Sequence, residues 1–274
     1  AQGSLLHSPP CIALSGHLCS RPWPAVAAAP HRGTVQWFWW ARWPLWRGAL
    51  RCFGGAGAPR PSRIVLVATG SVASVKVPEL ARALLEVATE VAGGLPAELV
   101  VVLTKPAEVM AGRVAERYAP QAVLAEWEAL QASGRIPILR DEDEWQGYED
   151  VSGDAVVHIE LRKWADAVVV APCSANTLAK VAVGLCDNLA TCFIRAWDFQ
   201  KPIVFAPAMN TLMWDHPATV QHVQTLESWG FKIVQPASKR LACGDVGKGA
   251  LASVADVAAA LRVALQEHRS AARR

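Results

Sequence analysis

The stretch FAPAMNTLMWDHP, Phe205 to Pro217, ends an apolar run at Pro207 and then sets one carboxamide, Asn210, between Met209 and Met213 with Trp214 behind. A side chain that donates and accepts hydrogen bonds among polarizable apolar neighbours is the make-up of a pocket wall for a flat, partly apolar ligand. A Pro-Asn turn over a Met-filled core would use the same residues. In KRLACGDVGKGAL, Lys239 to Leu251, Cys243 stands among three glycines and three basic residues. That composition reads as a mobile cationic loop in which Lys239, Arg240 and Lys248 favour the thiolate. His158, in VVHIELRKW, has the side chain suited to proton transfer near neutral pH. The segment TGSVAS offers backbone N–H groups of Gly70 and the hydroxyls of Ser71 and Ser74 to a phosphate at a helix entrance. It matches neither the dinucleotide nor the nucleoside-triphosphate glycine pattern, and ordinary helix capping would also explain it. SANT, Ser174 to Thr177, is a second small, polar helix entrance.

These segments need a scaffold, and the rest of the chain supplies one. RIVLVATG, AELVVVLT, DAVVVAP, KPIVFAP and KIVQP read as strands, apolar on nearly every residue. Between them lie helical stretches: VPELARALLEVATEV, the charged run from Ala107 to Gly134 broken near Pro120, HIELRKWA, SANTLAKVAVGL, NLATCFIRAW and ATVQHVQTLESWG, with SVADVAAALRVALQEH last. Continuously apolar strands alternating with helices predict an α/β fold, a three-layer doubly wound parallel sheet of flavodoxin or Rossmann type, over residues 63–268. In such sheets ligands sit beyond the carboxyl ends of the strands. ATGSVAS, TKPA, APCSANT and APAMNTLMW all fall there, and one phosphate with a flat ring, as in FMN, fits that set.

Composition bounds the partners. The net charge of +3 is unevenly placed: residues 1–63 hold seven Arg and six of the twelve Trp but no Asp or Glu. The basic balance therefore belongs to the leader and gives no reason to propose nucleic acid. GTVQWFWWARWPLWRG is too short and too broken by Pro44 to span a membrane. The leader, residues 1–62, has the acid-free, Arg-bearing composition of an organelle transit peptide, although Ser is sparse, and is expected to be disordered. Residues 269–274 read as a basic tail. Cys173, Cys186, Cys192 and Cys243 fit no metal-ligand spacing, so no metal is expected and the thiols suit a reducing compartment, the cytoplasm. The first three lie in apolar sequence and read as small buried hydrophobes.

GSVA, HIELRKWAD, APCSANTLAKVAVGLCDNL, PAMNTLMW and KRLACGD stand in the order and approximate spacing of a known family. In these the chain resembles the flavin-dependent cysteine decarboxylases, and among them the phosphopantothenoylcysteine decarboxylases and plant halotolerance flavoproteins. The resemblance implies a homotrimeric FMN protein that converts 4′-phosphopantothenoylcysteine to 4′-phosphopantetheine in coenzyme A biosynthesis. It implies flavin contacts from Gly70, Ser71, Val72, Thr104, Lys105, Ser174, Ala175, Asn176 and Thr177, with Ala208 near the ring. His158 takes the family's essential histidine position. Asn210 would hold the substrate carboxylate and amide, with Met209 and Met213 lining the pocket. Arg240, Leu241 and Ala242 would clamp the substrate, and Cys243 would supply a proton to the ene-thiol intermediate.

Some positions depart from that pattern. Pro106 and Ala107 stand where relatives often carry hydroxyls, Lys163 replaces a second arginine, and the segment 106–139 is long. A flavin electron carrier would need neither His158 nor Cys243. A decarboxylase of peptidyl cysteine shares the chemistry, and a phosphatase-regulatory flavoprotein usually carries an acidic tail where this chain has EHRSAARR.

Overall fold

The computed structural model describes residues 60–272, apart from 119, 133, 146–147 and 149–154. The expected leader lies outside the described residues except at its end. There Arg60 pairs bidentately with Asp166, and the buried Ser62 accepts from Arg269 Nη2 at 2.8 Å, so the fold is anchored from Arg60 onward.

Six parallel strands form one sheet in the order β3-β2-β1-β4-β5-β6: β1 Arg63–Ala68, β2 Glu98–Leu103, β3 Ile138–Leu139, β4 Ala167–Cys173, β5 Ile203–Pro207 and β6 Lys232–Ile233. The order reverses between β1 and β4, and a crevice opens at such a switch point because the flanking connections leave to opposite faces. Alternation along β1 sends Ile64, Leu66 and Ala68 to one face, where they join Leu99, Leu103, Val169 and Ala206. Val65, Val67, Val100, Val102, Val168 and Val170 are equally buried, which requires cover on both faces.

One cover is built by α1 Val77–Val91 and the last helix. Pro78 near its start suits the first turn of α1, and Val77, Leu80, Ala81, Leu84 and Ala88 form its buried stripe. The other helices are α2 Lys105–Val109, α3 Ala115–Tyr118, α4 Gln121–Ala132, α5 Val157–Trp164, α6 Ala175–Val183, α7 Leu189–Arg195, α8 Thr211–Trp214, α9 Pro217–Ser228 and α10 Val254–Ala272. Residues 269–272 of the expected basic tail are thus the final turn of α10, and 273–274 lie outside the described residues. Arg269 in that turn donates to the Val91 carbonyl at the end of α1, so helical continuation outweighs the tail's polarity.

Two further findings correct the sequence reading. The cationic loop is largely an antiparallel hairpin, β7 Ala237–Arg240 and β8 Val246–Ala250, leaving only Leu241–Asp245 at its tip. The strand sequences ASKR and VGKGA carry no apolar alternation, because the strands pair with each other rather than with the main sheet. Cys186 is exposed, in contrast to buried Cys173, because it lies in the link between Gly184, which ends α6 in the left-handed region, and Asn188, which caps α7.

Candidate active site

The first wall is the junction after β1. Thr69 is buried and ties the switch point together: its Oγ1 donates to the Pro172 carbonyl at 2.9 Å and accepts from Ser174 N at 2.8 Å. Ser71 caps the 3-10 turn Val72–Lys76 by accepting from Ala73 N, while Gly70 and Val72 are exposed at the rim. Ser74, expected to face a ligand, is fully buried and donates to the Thr69 carbonyl at 2.8 Å, so it braces the turn instead. Gly70 is fixed by a close approach, since a Cβ there would sit 2.9 Å from Pro106 Cβ. Pro106 is therefore a packing partner of the first loop.

Thr104, at the end of β2, is 5 % exposed, and its Oγ1 has no hydrogen-bond partner among the described residues. A buried hydroxyl left unpaired is costly, and one standing at the carboxyl edge of the sheet fits a bound polar ligand. Lys105 beside it is exposed and pairs with Glu142 at 3.1 Å. At the third wall, Ser174 caps α6 by accepting from Thr177 N, and its Oγ donates to Thr177 Oγ1 at 3.2 Å. Ala175 is half-buried and Asn176 exposed at the same helix start. Ala208 is buried and donates its N–H to the Cys173 carbonyl at 2.9 Å, which joins the third wall to the fourth. Small residues, exposed helix entrances and the orphaned Thr104 hydroxyl fit a flat ring with one phosphate.

The fourth wall brings an amide, a thiol and a carboxylate together. Asn210 Oδ1 caps α8 by accepting from Leu212 N at 2.8 Å, and its Nδ2 donates to Asp245 Oδ2 at 2.5 Å and to Cys243 Sγ at 3.3 Å. The hairpin is seated on this segment by two glycines. Met209 N donates to the Gly249 carbonyl, and a Cβ on Gly249, where φ is +148°, would lie 2.4 Å from the Met209 carbonyl oxygen. Gly247 similarly leaves room for Thr211. Met213 and Ala242 are exposed, Met209 and Leu241 half-buried, and Arg240 is exposed at the end of β7. The charged group bonded to Cys243 is the Asp245 carboxylate, with Sγ donating at 3.5 Å. Lys248, expected to support the thiol, lies over the Trp214 ring and donates to Gln235 instead.

His158 belongs to a second cluster. It stands in the first turn of α5, and its Nδ1 lies 2.6 Å from Oε1 of the buried Glu144. Glu144 ends the 3-10 turn Asp141–Glu144 that follows β3, so the pair lies toward the carboxyl edge of the sheet, where Asp141 also accepts from Leu189 N. Burial pushes the carboxyls of Asp141 and Asp143 above their ordinary range. Among the described residues no hydrogen bond joins His158 to Asn210 or Cys243. The structure thus unites Asn210 with Cys243 directly and holds His158 separately with Glu144.

The family model described as Flavoprotein matches residues 57–265, most of the chain. The chain belongs to the Flavoprotein family. It is 43% identical over 212 residues to a phosphopantothenoylcysteine decarboxylase of Oryza sativa subsp. japonica, covering 77% of this chain and 84% of the relative. It is 44% identical over 211 residues to one of Mus musculus, covering 77% and 91%. Among solved structures it is similar to a cysteine-to-serine mutant of PPC decarboxylase complexed with pantothenoylaminoethenethiol: 42% identity, TM-score 0.62, covering 74% of this chain and 98% of that one. The FMN binding protein AtHal3 matches at 42% identity and TM-score 0.58, covering 74% and 96%. The span matched by the family model takes in the sheet and all four walls.

Sequence reasoning missed Thr69, Glu144 and Asp245. Glu144 lies in RDEDEW, where an acidic run reads as a solvated turn; Asp245 is one residue past Cys243 and Gly244 in a loop whose basic residues drew attention.

Proposed function

We propose that this protein is an FMN-dependent decarboxylase that converts 4′-phosphopantothenoylcysteine to 4′-phosphopantetheine in coenzyme A biosynthesis. The observation that carries the reading is the direct contact of Asn210 with Cys243 at the crevice of a flavoprotein fold. Decarboxylases at 42–44% identity support it. Gly70, Ser71, Val72, Thr104, Lys105, Ser174, Ala175, Asn176 and Thr177 would hold FMN, with Ala208 against the ring. When bound, FMN supplies reversible two-electron oxidation of the thiol-bearing carbon, which places an electron sink β to the carboxylate.

The chain's own residues then have defined tasks. Asn210 orients the carboxylate through Nδ2 without a full positive charge, which would hold the ground state as strongly as the transition state. Glu144 accepts from Nδ1–H of His158, which fixes the tautomer and leaves Nε2 to take or return a proton on the substrate. Cys243 gives its proton to the carbon that carried the carboxylate, and the hairpin tip keeps water from the ene-thiol. Arg240, Leu241 and Ala242 flank the substrate, with Lys239 and Arg240 available to its phosphate. The working form we propose is a homotrimer in the cytoplasm. Exposed Leu185, Phe199 and Trp229 line one apolar groove outside the crevice, the kind of surface a neighbouring copy covers.

The test compares carbon dioxide release from phosphopantothenoylcysteine with release from a peptide ending in cysteine. The phosphorylated substrate should be favoured about tenfold or more, the value of one charge-assisted hydrogen bond. Faster turnover of the peptide would move the assignment to a peptidyl-cysteine decarboxylase.

A further inference from the structure

We propose that Asp245 competes with the substrate carboxylate for the Asn210 carboxamide. The tip carrying Cys243 is then displaced while that carboxylate is present and returns once it has left. This rests on the decarboxylase reading above and adds a selectivity and positioning residue to it.

Both N–H donors of the Asn210 carboxamide are engaged. Oδ1 accepts from Leu212 N, and the two hydrogens of Nδ2 serve Asp245 Oδ2 at 2.5 Å and Cys243 Sγ at 3.3 Å. A substrate carboxylate therefore reaches Nδ2 only by displacing one of them. Asp245 is the one that carries like charge, so it is the partner expelled. Its departure moves Cys243 too, because the tip is a single turn: Leu241 N donates to the Asp245 carbonyl at 2.8 Å, Gly244 N donates to the Leu241 carbonyl at 3.0 Å, and Cys243 Sγ donates to Asp245 Oδ2 at 3.5 Å. Below the tip the hairpin stays seated through Gly249 on Met209 and Gly247 on Thr211. Movement is thereby confined to Leu241–Asp245, in which all residues but Leu241 are exposed.

Loss of carbon dioxide removes the competing charge. Asp245 returns to Asn210 and brings Cys243 beside the vacated position. The Cys243 S–H bond then breaks, a C–H bond forms with the electron pair released from the broken C–C bond, and the thiolate left on Sγ recovers a proton from water. Asp245 also selects between ligands: one without the carboxylate leaves it in place, and one with the carboxylate must expel it.

The test uses the flavin-loaded full chain with His158→Asn to block chemistry. Dissociation constants are measured for phosphopantothenoylcysteine and for phosphopantetheine, the same molecule without the carboxylate. Asp245→Asn should shift the affinity ratio toward the carboxylate ligand by about threefold or more, the scale of one partly exposed like-charge contact. Asp245→Glu should restore the wild-type preference. An unchanged ratio, including a parallel loss of both affinities, would mean that Asp245 only props the hairpin and would overturn the proposal. If Asp245→Asn fails to retain flavin, Asp245→Ser supplies the same comparison. Turnover by the protein with His158 intact reports on the decarboxylase reading, so the two ideas fail separately.

Discussion

At the residue scale, the site combines an amide, a thiol and an imidazole, each in contact with a carboxylate: Asn210 and Cys243 with Asp245, and His158 with Glu144. Cys243→Ser should still allow oxidation and decarboxylation, since in the proposed mechanism the thiol acts only afterwards. Serine is a far weaker acid, so turnover should stall with bleached flavin and a product lighter than phosphopantetheine by the two missing hydrogens, read by mass spectrometry. Ordinary product at a near-normal rate would make Cys243 a bystander. Glu144→Gln should keep flavin bound but cut kcat by about 10- to 100-fold, the scale of one charge-assisted hydrogen bond. Steady-state kinetics with the flavin spectrum as control checks this. Asn210 and Cys243 were legible in the sequence as residue types at family spacing. The carboxylates were not: Asp245 lies in a loop that its basic residues dominate, and the hydrogen bond between Glu144 and His158, 14 positions apart, leaves no periodic trace.

At the element scale, the four long apolar runs were readable because both faces of the sheet are covered, so β1, β2, β4 and β5 carry no polar alternation. Strand β3 escaped notice, being two residues within a longer connection, and the β7–β8 hairpin escaped because ASKR and VGKGA hold no apolar alternation. That hairpin hangs on Gly249, where positive φ and the Met209 carbonyl leave no room for a side chain. Gly249→Val should cost about 1–3 kcal/mol locally. The effect should appear as a raised KM and faster proteolysis within residues 237–250, with flavin retained because the hairpin lies apart from the first three walls. Coincident loss of flavin would show that the hairpin supports the cofactor site as well.

At the scale of the whole molecule, a chain beginning at Arg60 should keep its flavin and behave as a trimer in light scattering. One beginning at Arg63 loses the Arg60–Asp166 pair and the Ser62–Arg269 hydrogen bond. It should be less stable by about 1–2 kcal/mol in urea unfolding, given one partly exposed ion pair and one hydrogen bond. Equal stability would place the domain edge at β1 itself, where composition put it; the change from leader-like to domain-like residues is visible in the sequence, but the pairing of Arg60 across the sheet edge is not. Phe199→Asp should yield a smaller assembly in the same light-scattering measurement if the apolar groove is an interface.

The central claim is tested most directly by incubating the purified flavoprotein with phosphopantothenoylcysteine labelled at the carboxyl carbon. Released carbon dioxide and the remaining product are followed together. The account predicts label appearing as carbon dioxide in equal amount with unlabelled phosphopantetheine, with the flavin oxidised at the end of each cycle. Persistence of the label in intact substrate, with the protein folded and FMN bound, would contradict it.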